Sequence, residues 1–502
     1  MKNTAIIGIL LLGLFQSACK EDFLDQTDPT KVGVDVFYKN EAQVKQALNG
    51  VYSQVQALNN TAYIFGEFQT DNTTVDLNPS DRGGAGGWEA FEFSTVNSGN
   101  GEIANLWNGY YAALYNDNLT LEKMVTAEIP DASRKEIEGQ LKFLRAYMYF
   151  NLVQYFGDVI IVTSTLATPD PAFDLVRSPQ ADVWAQIEKD LNEAIALLPA
   201  SYTNAGDRGR ATKGAALSLL GKSQLINKKF AESITSLKQV TALGYALTPN
   251  YADNFDPSPA KKNGSESIFE IQYQGDNDLG EWSNFEYVFA PRVSKGAVTG
   301  YANGTNGGRN VPTNDIMASY ETGDVRKDLS LKPSFTLDGK IYPVPFVSKY
   351  NYPHTIVNRT NTNWPIIRYA DVLLMLAEAI NEQSGPTGEA VGFLNQVRKR
   401  AGLTELSGLD KTGFRTAVLK ERRLELAFEN QRWIDLKRTK TPAEWASFMN
   451  AHGAAERAKP TVDRGNVPFN STDYVYTANE YVLPIPAPQI LINPKLVQNP
   501  GY

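Results

Sequence analysis

Residues 421–438 read ERRLELAFENQRWIDLKR, and the fold turns on how this stretch is taken. Apolar residues at Phe414, Ala417, Val418, Leu424, Ala427 and Phe428 recur at three- and four-residue intervals, which predicts one continuous amphipathic helix. Glu421, Glu425 and Glu429 are each four apart, so three carboxylates share one stripe, with Arg422, Arg423, Arg432 and Arg438 as counter-charge. Such a stripe is either chemistry or architecture. Glycoside hydrolysis needs two carboxyl groups flanking a bond, roughly 5–9 Å apart, whereas a single helix face puts all three on one side. Ion pairing with Arg398, Arg400 and Arg432 is the reading the spacing favours.

Working outward, helical periodicity dominates. Asn40 is placed to cap a helix running to about Leu58, and similar patterns cover residues 103–127, 133–156 and 179–198. Residues 213–242 hold two helices around a tight turn at Asn227, Lys228 and Lys229, with Ala216, Leu220 and Gly221 on the first and Phe230 opening the second. That pairing resembles a tetratricopeptide repeat, in which small residues on one helix admit its partner. A weaker echo occupies residues 369–401. The expected fold is therefore mainly α: a tetratricopeptide-like helix-pair scaffold with long loop-rich insertions and a few short strands. The scaffold spans residues 39–243, with a loop insertion at 59–101 carrying a strand near 91–93. A loop-rich region follows at 244–365, with strands at 268–273 and 287–289; helices return at 366–440, and an irregular tail at 441–502 lies over the scaffold.

The N-terminus reads as a targeting segment. Residues 5–15 are almost unbroken apolar, too short for the roughly twenty residues a bilayer span requires, and Ser17-Ala18-Cys19 follows. Residues 1–18 are thus a lipoprotein signal peptide with Cys19 as the lipidation site, and 19–38 a tether; Gln16 departs from the aliphatic residue usual there. Lys20-Glu21-Asp22 resembles the signal that sends Bacteroidetes lipoproteins to the outer face of the outer membrane.

Composition and motifs exclude most chemistry. A formal net charge of -8 argues against nucleic-acid binding. The chain has two histidines, far apart, and one cysteine committed to the N-terminus, which removes zinc sites and Cys-His dyads. ALSLLGKS at 216–223 has the order of a phosphate loop but sits inside a helix, and the glycine cluster at 83–87 lacks dinucleotide spacing. No cofactor is expected; a calcium site built from Asp71, Asp76 and Asp81 is conceivable because hard oxygen ligands suit Ca²⁺.

The motifs WPIIRYADVLLMLAEA (364–379), LNQVRKRAG (394–402), ERRLELAFE (421–429) and RWIDLKR (432–438) resemble those of the SusD/RagB family. So do VPTNDI (311–316), DVR (324–326), YVLPIP (481–486) and DFLD (22–25). The resemblance implies an outer-membrane, cell-surface lipoprotein on a tetratricopeptide-like scaffold. It also implies an oligosaccharide ligand, a SusC-like TonB-dependent transporter beneath the protein as its lidded partner, and no catalysis. Sugar rings stack their C–H faces on aromatics and pair hydroxyls with Asp, Asn and Arg. Two loop clusters carry that chemistry: Trp88 with Asp71, Asn72, Asp81 and Arg82, and Trp282 with Phe285, Tyr301, Asn303 and Arg309. A surface protein- or peptide-binding scaffold is the alternative, and a secreted hydrolase a third.

Overall fold

The structure, a computed structural model, describes residues 36–76, 87–166, 168 and 170–502. Among these, eleven helices of eight or more residues form the scaffold: α1 Glu41–Asn59, α2 Gly101–Lys123, α3 Asp131–Phe156, α4 Gln180–Leu197, α5 Lys213–Ile226, α6 Phe230–Thr241, α7 Tyr369–Ser384, α8 Gly388–Arg400, α9 Lys411–Glu425, α10 Arg432–Thr439 and α11 Pro442–Ala458. From α1 to α8 each helix packs on the next in the chain, and α7 also receives α9. This is the wiring of a helical-repeat array, in which a unit buries its apolar face only against its neighbours. The insertion between α6 and α7 does not interrupt the array, because those two helices touch directly.

The α5–α6 pair shows how sequence sets this packing. Thr212 caps α5 by accepting from the Ala215 amide, and the chain reverses at Lys228, where φ is 58°. A Cβ on Gly221 would lie 2.5 Å from Leu237 Cγ, so only glycine admits α6 at this distance. Ser233 Oγ donates to the Gly221 carbonyl at 2.8 Å across the same contact. The aromatic ladder of α3 then ties the array to later elements: Phe143 meets Phe269 at 4.9 Å, Phe150 meets Trp184 at 5.8 Å, and Tyr155 meets Trp433 at 5.2 Å.

Short antiparallel pairs position the insertions. Ser267–Ile271 pairs with Trp364–Arg368, closing the long excursion at its base. Thr73–Thr74 pairs with Val311–Pro312, which joins the two loop regions.

The structure departs from the sequence expectation in four places. Residues 421–438 are two helices: α9 ends at Glu425 and α10 starts at Arg432, with Phe428 and Asn430 at φ 64° and 61°. The carbonyls freed by the break find donors in Tyr251 and Arg368 (Glu425 O), Lys349 (Ala427 O) and Tyr350 (Phe428 O). Apolar spacing continues across the break, so periodicity alone does not reveal it. Residues 91–92 and 287–289 belong to helical turns, Glu89–Glu92 and Phe285–Phe289, rather than strands, and Phe93 caps the first of these. The supposed irregular tail opens with α11, whose start is a capping box between Thr441 and Glu444 with proline at the first turn.

The acidic stripe proves to be the scaffold's clasp. Glu425 is fully buried and takes Arg326 at 3.0 Å, Arg368 at 3.0 Å, and Arg400. Glu421 takes Arg326 at 2.6 Å and Arg398 at 3.0 Å, and Glu429 takes Lys349 at 2.8 Å and Arg368 at 2.9 Å. Burial opposes ionisation of Glu425, yet Arg400, Arg368 and Arg326 together hold its carboxyl well below the usual range. Arg432, expected to pair with this stripe, instead grips Asp71 at 2.7 Å.

Candidate ligand-binding loop face

Trp88 leads into the Glu89–Glu92 turn and is half-buried against Phe68, 5.9 Å between rings. Arg309 lays its guanidinium 4.4 Å from the Trp88 ring centroid and donates to Tyr63 Oη at 2.8 Å. The preceding glycines make that reach possible. The amides of Gly307, Gly308 and Arg309 donate to the carbonyls of Tyr287, Ala290 and Val288 at 2.9, 2.9 and 3.0 Å. A Cβ at Gly307 would stand 2.5 Å from Val288 O, and Gly308 has φ 61°.

The same segment leads back to a second station. Tyr301 is half-buried, 5.0 Å from the His354 ring, and donates to the His354 carbonyl at 3.0 Å; Asn303 beside it is exposed. His354 Nε2 shares a 2.5 Å hydrogen bond with Tyr287 Oη, and its Nδ1 stands 3.3 Å from Glu286. Burial pushes the Glu286 carboxyl up to about 8. Residues 352–361 continue to a third station, where Arg359 lies 4.2 Å from the Trp282 centroid and pairs with exposed Asp278 at 2.5 Å. Asp276 there accepts from Thr355 at 3.1 Å and Asn361 at 2.8 Å.

These stations make up the candidate loop face; residues 287–309 and 352–361 connect them, and each holds an aromatic ring with a cation or imidazole beside it. Trp88, Arg309, Tyr301 and Trp282 each belong to one of these stations, exposed Asn303 follows Tyr301 by two residues, and Arg309 joins the two clusters that sequence spacing separates. Sequence reading missed Arg359 and the Tyr287–His354 pair. The polar run Asn358-Arg359-Thr360-Asn361 was the available signal for the first.

Three expected site residues lie elsewhere. Phe285 is fully buried, its ring 4.6 Å from Trp364 and 5.6 Å from Tyr273, because the turn it opens faces the core. Asp71 is buried and held by Arg432 at 2.7 and 2.8 Å and by Arg423 at 2.9 Å. Although burial works against its charge, those arginines lower its carboxyl to about 2. Asn72 is buried too, accepting from Arg423 at 2.7 Å. Both residues pin the loop to the scaffold. Of the conceivable calcium ligands, Asp71 is thus committed and Asp76 takes the Arg292 amide at 3.4 Å. Asp81, Arg82 and Cys19 lie outside the described residues.

At the end of the turn that follows Trp88, buried Glu92 accepts from Tyr474 Oη, and burial pushes its carboxyl to about 8 from an ordinary 4.5. The folded state therefore keeps a proton that the unfolded chain loses. This contribution is complete below pH 4.5 and is lost as pH rises through 8, at a slope near 1.4 kcal/mol per pH unit. Glu92→Gln should accordingly raise the melting temperature over wild type at pH 8.5 and leave it unchanged at pH 5, read by circular dichroism.

A family profile described as the SusD family matches residues 331–502, and one described as "Starch-binding associating with outer membrane" matches 22–225. The chain belongs to the SusD/RagB family. Relatives of SusD type cover it end to end: SusD-like protein P2 of Formosa agariphila is 26% identical over 100% of both chains. A solved structure called a laminarin binding SusD-like protein is 27% identical, with TM-score 0.75 over 93% of this chain and 100% of its own. A SusD homolog from Bacteroides thetaiotaomicron shares the fold at TM-score 0.78 and 22% identity, covering 95% of this chain and 100% of its own. The helical-repeat array is the SusD scaffold, and the loop face is carried on it.

Proposed function

We propose that the chain is a non-catalytic, glycan-binding lipoprotein of the outer cell surface. It captures oligosaccharides on the loop face and passes them, as a lid subunit, to a SusC-like TonB-dependent transporter. The observation that carries this reading is the row of Trp88 with Arg309, Tyr301 with His354, and Trp282 with Arg359. Rings of this kind offer flat apolar surface to sugar C–H faces while neighbouring polar groups meet hydroxyls. A binding rather than hydrolytic role is supported by the fate of Glu421, Glu425 and Glu429, all consumed by buried ion pairs. The laminarin-binding relative supports a glycan as the ligand class.

Electrophoresis through gels containing a panel of polysaccharides should retard the protein with at least one glycan and leave that glycan's chain length unchanged. Retention by none would favour the protein-binding scaffold, and shortened products would favour a hydrolase. Cys19→Ala should release the protein from the membrane fraction; continued membrane association would count against lipidation.

A further inference from the structure

A second cleft, of about 480 Å³, opens where the end of α3, the start of α4, the α5–α6 turn, α10 and residues 478–482 meet, and none of the loop-face residues lines it. Its most unusual occupant is Lys437. Three lysines are buried among the described residues, Lys222, Lys349 and Lys437. The first two are paired with Asp371 and Glu429 at 2.9 and 2.8 Å. Lys437 has no carboxylate. Its ammonium donates to the Gln154 backbone carbonyl and stands 4.1 Å from the Trp433 centroid and 4.7 Å from that of Tyr481. The next residue, Arg438, is by contrast paired with both Glu378 and Asp435.

A buried ammonium that has a carbonyl and two rings but no counter-ion still bears a desolvation cost of several kcal/mol, and burial drives the Lys437 pKa well down. The Gln154 side chain, also buried and lining the cleft, has an amide nitrogen with no acceptor. Lys228 and Lys440 line the same cleft and add positive charge. Glu444 lies close enough to both to be influenced by them, but its carboxylate is occupied by the amide and hydroxyl of Thr441 at 2.8 and 2.9 Å.

We propose that this cleft is a second ligand site, which takes a sugar bearing a carboxylate. The anion supplies the charge that Lys437 lacks, through a charge-assisted hydrogen bond of the kind that strengthens in a low-dielectric setting. The aromatic walls at Trp184 and Tyr481, with the side-chain amides of Asn227 and Asn479, match a ring with hydroxyls better than a bare carboxylate. The volume lies within the range of small-ligand sites, roughly 300–1,000 Å³, and holds one or two sugar units.

Calorimetric titration of the full chain with D-glucuronate, D-glucose and acetate at pH 7 tests the proposal. Glucuronate should bind at least about tenfold more tightly than glucose, the share one well-placed charge contributes, and more tightly than acetate, which has the charge without the ring. Lys437→Met, which keeps the apolar stem, should abolish that preference. Should this variant not fold, Lys228→Ala/Lys440→Ala, altering two side chains at the cleft's edge, should still weaken glucuronate several-fold and flatten its salt dependence. Equal affinity for glucuronate and glucose, no binding by the wild type, or binding unaltered in the folded variants would overturn the site. Acetate as tight as glucuronate, or an acetylated acidic peptide tighter than it, would overturn the assignment to a sugar.

Discussion

Glu425→Ala should cost about 3–5 kcal/mol of folding stability, the range for breaking a buried ion pair from one side. That is a large part of the total of roughly 5–15 kcal/mol available to a domain. Its carboxylate sits among Arg326, Arg368 and Arg400, all themselves buried or nearly so. Removing it leaves Arg326 with Asp324 and Glu421, Arg368 with Glu266 and Glu429, and Arg400 with Glu266 alone. Each guanidinium then has fewer acceptors but no route to water. The exposed pair Lys238–Glu389, at 2.8 Å, is the internal control, since breaking it should cost at most about 1 kcal/mol. Urea denaturation measures both. The protein that still folds should bind glycan as the wild type does; normal stability with lost binding would return Glu425 to the ligand site. The depressed carboxyl also sets the pH window: its stabilisation is complete above pH 4.5 and is lost as pH falls through the lower folded value.

Trp88→Ala/Trp282→Ala should weaken glycan affinity by about a hundredfold if each ring contributes roughly 1–2 kcal/mol of aromatic contact. Both rings are half-buried with an arginine over one face, which holds them in place before ligand arrives. Neither belongs to the helices of the array, so the far-ultraviolet circular-dichroism signal should be unchanged. Affinity equal to wild type in the double variant, read by calorimetry, would remove the loop face from glycan capture.

How much of this was legible in the sequence depended on the range of the interactions involved. Local signals worked: the Asn40 cap, the Asn227 to Lys229 turn and the small residues around Gly221 each predict what their neighbours do, and the α5–α6 pair follows. The break at residues 426–431 was hidden because its causes are distant. Asn430 packs where Gly66 has no side chain, and its amide bonds Glu67 at 2.7 Å. Trp88, Trp282, Tyr301 and Arg309 could be picked out as polar-aromatic loop residues. Asp71 and Phe285 looked the same in sequence, and only the position of Arg432 or of the core distinguishes them. Capping motifs were legible as well, yet the Thr441 to Glu444 box went unread and α11 with it.

The most direct test of a scaffold that holds and loops that bind is amide hydrogen exchange with and without a glycan retained in the gel panel. Protection should rise in residues 87–93, 282–309 and 352–361 and stay unchanged in α5, α6 and α9. Protection confined to those helices, with the loop segments unaffected, would contradict the account.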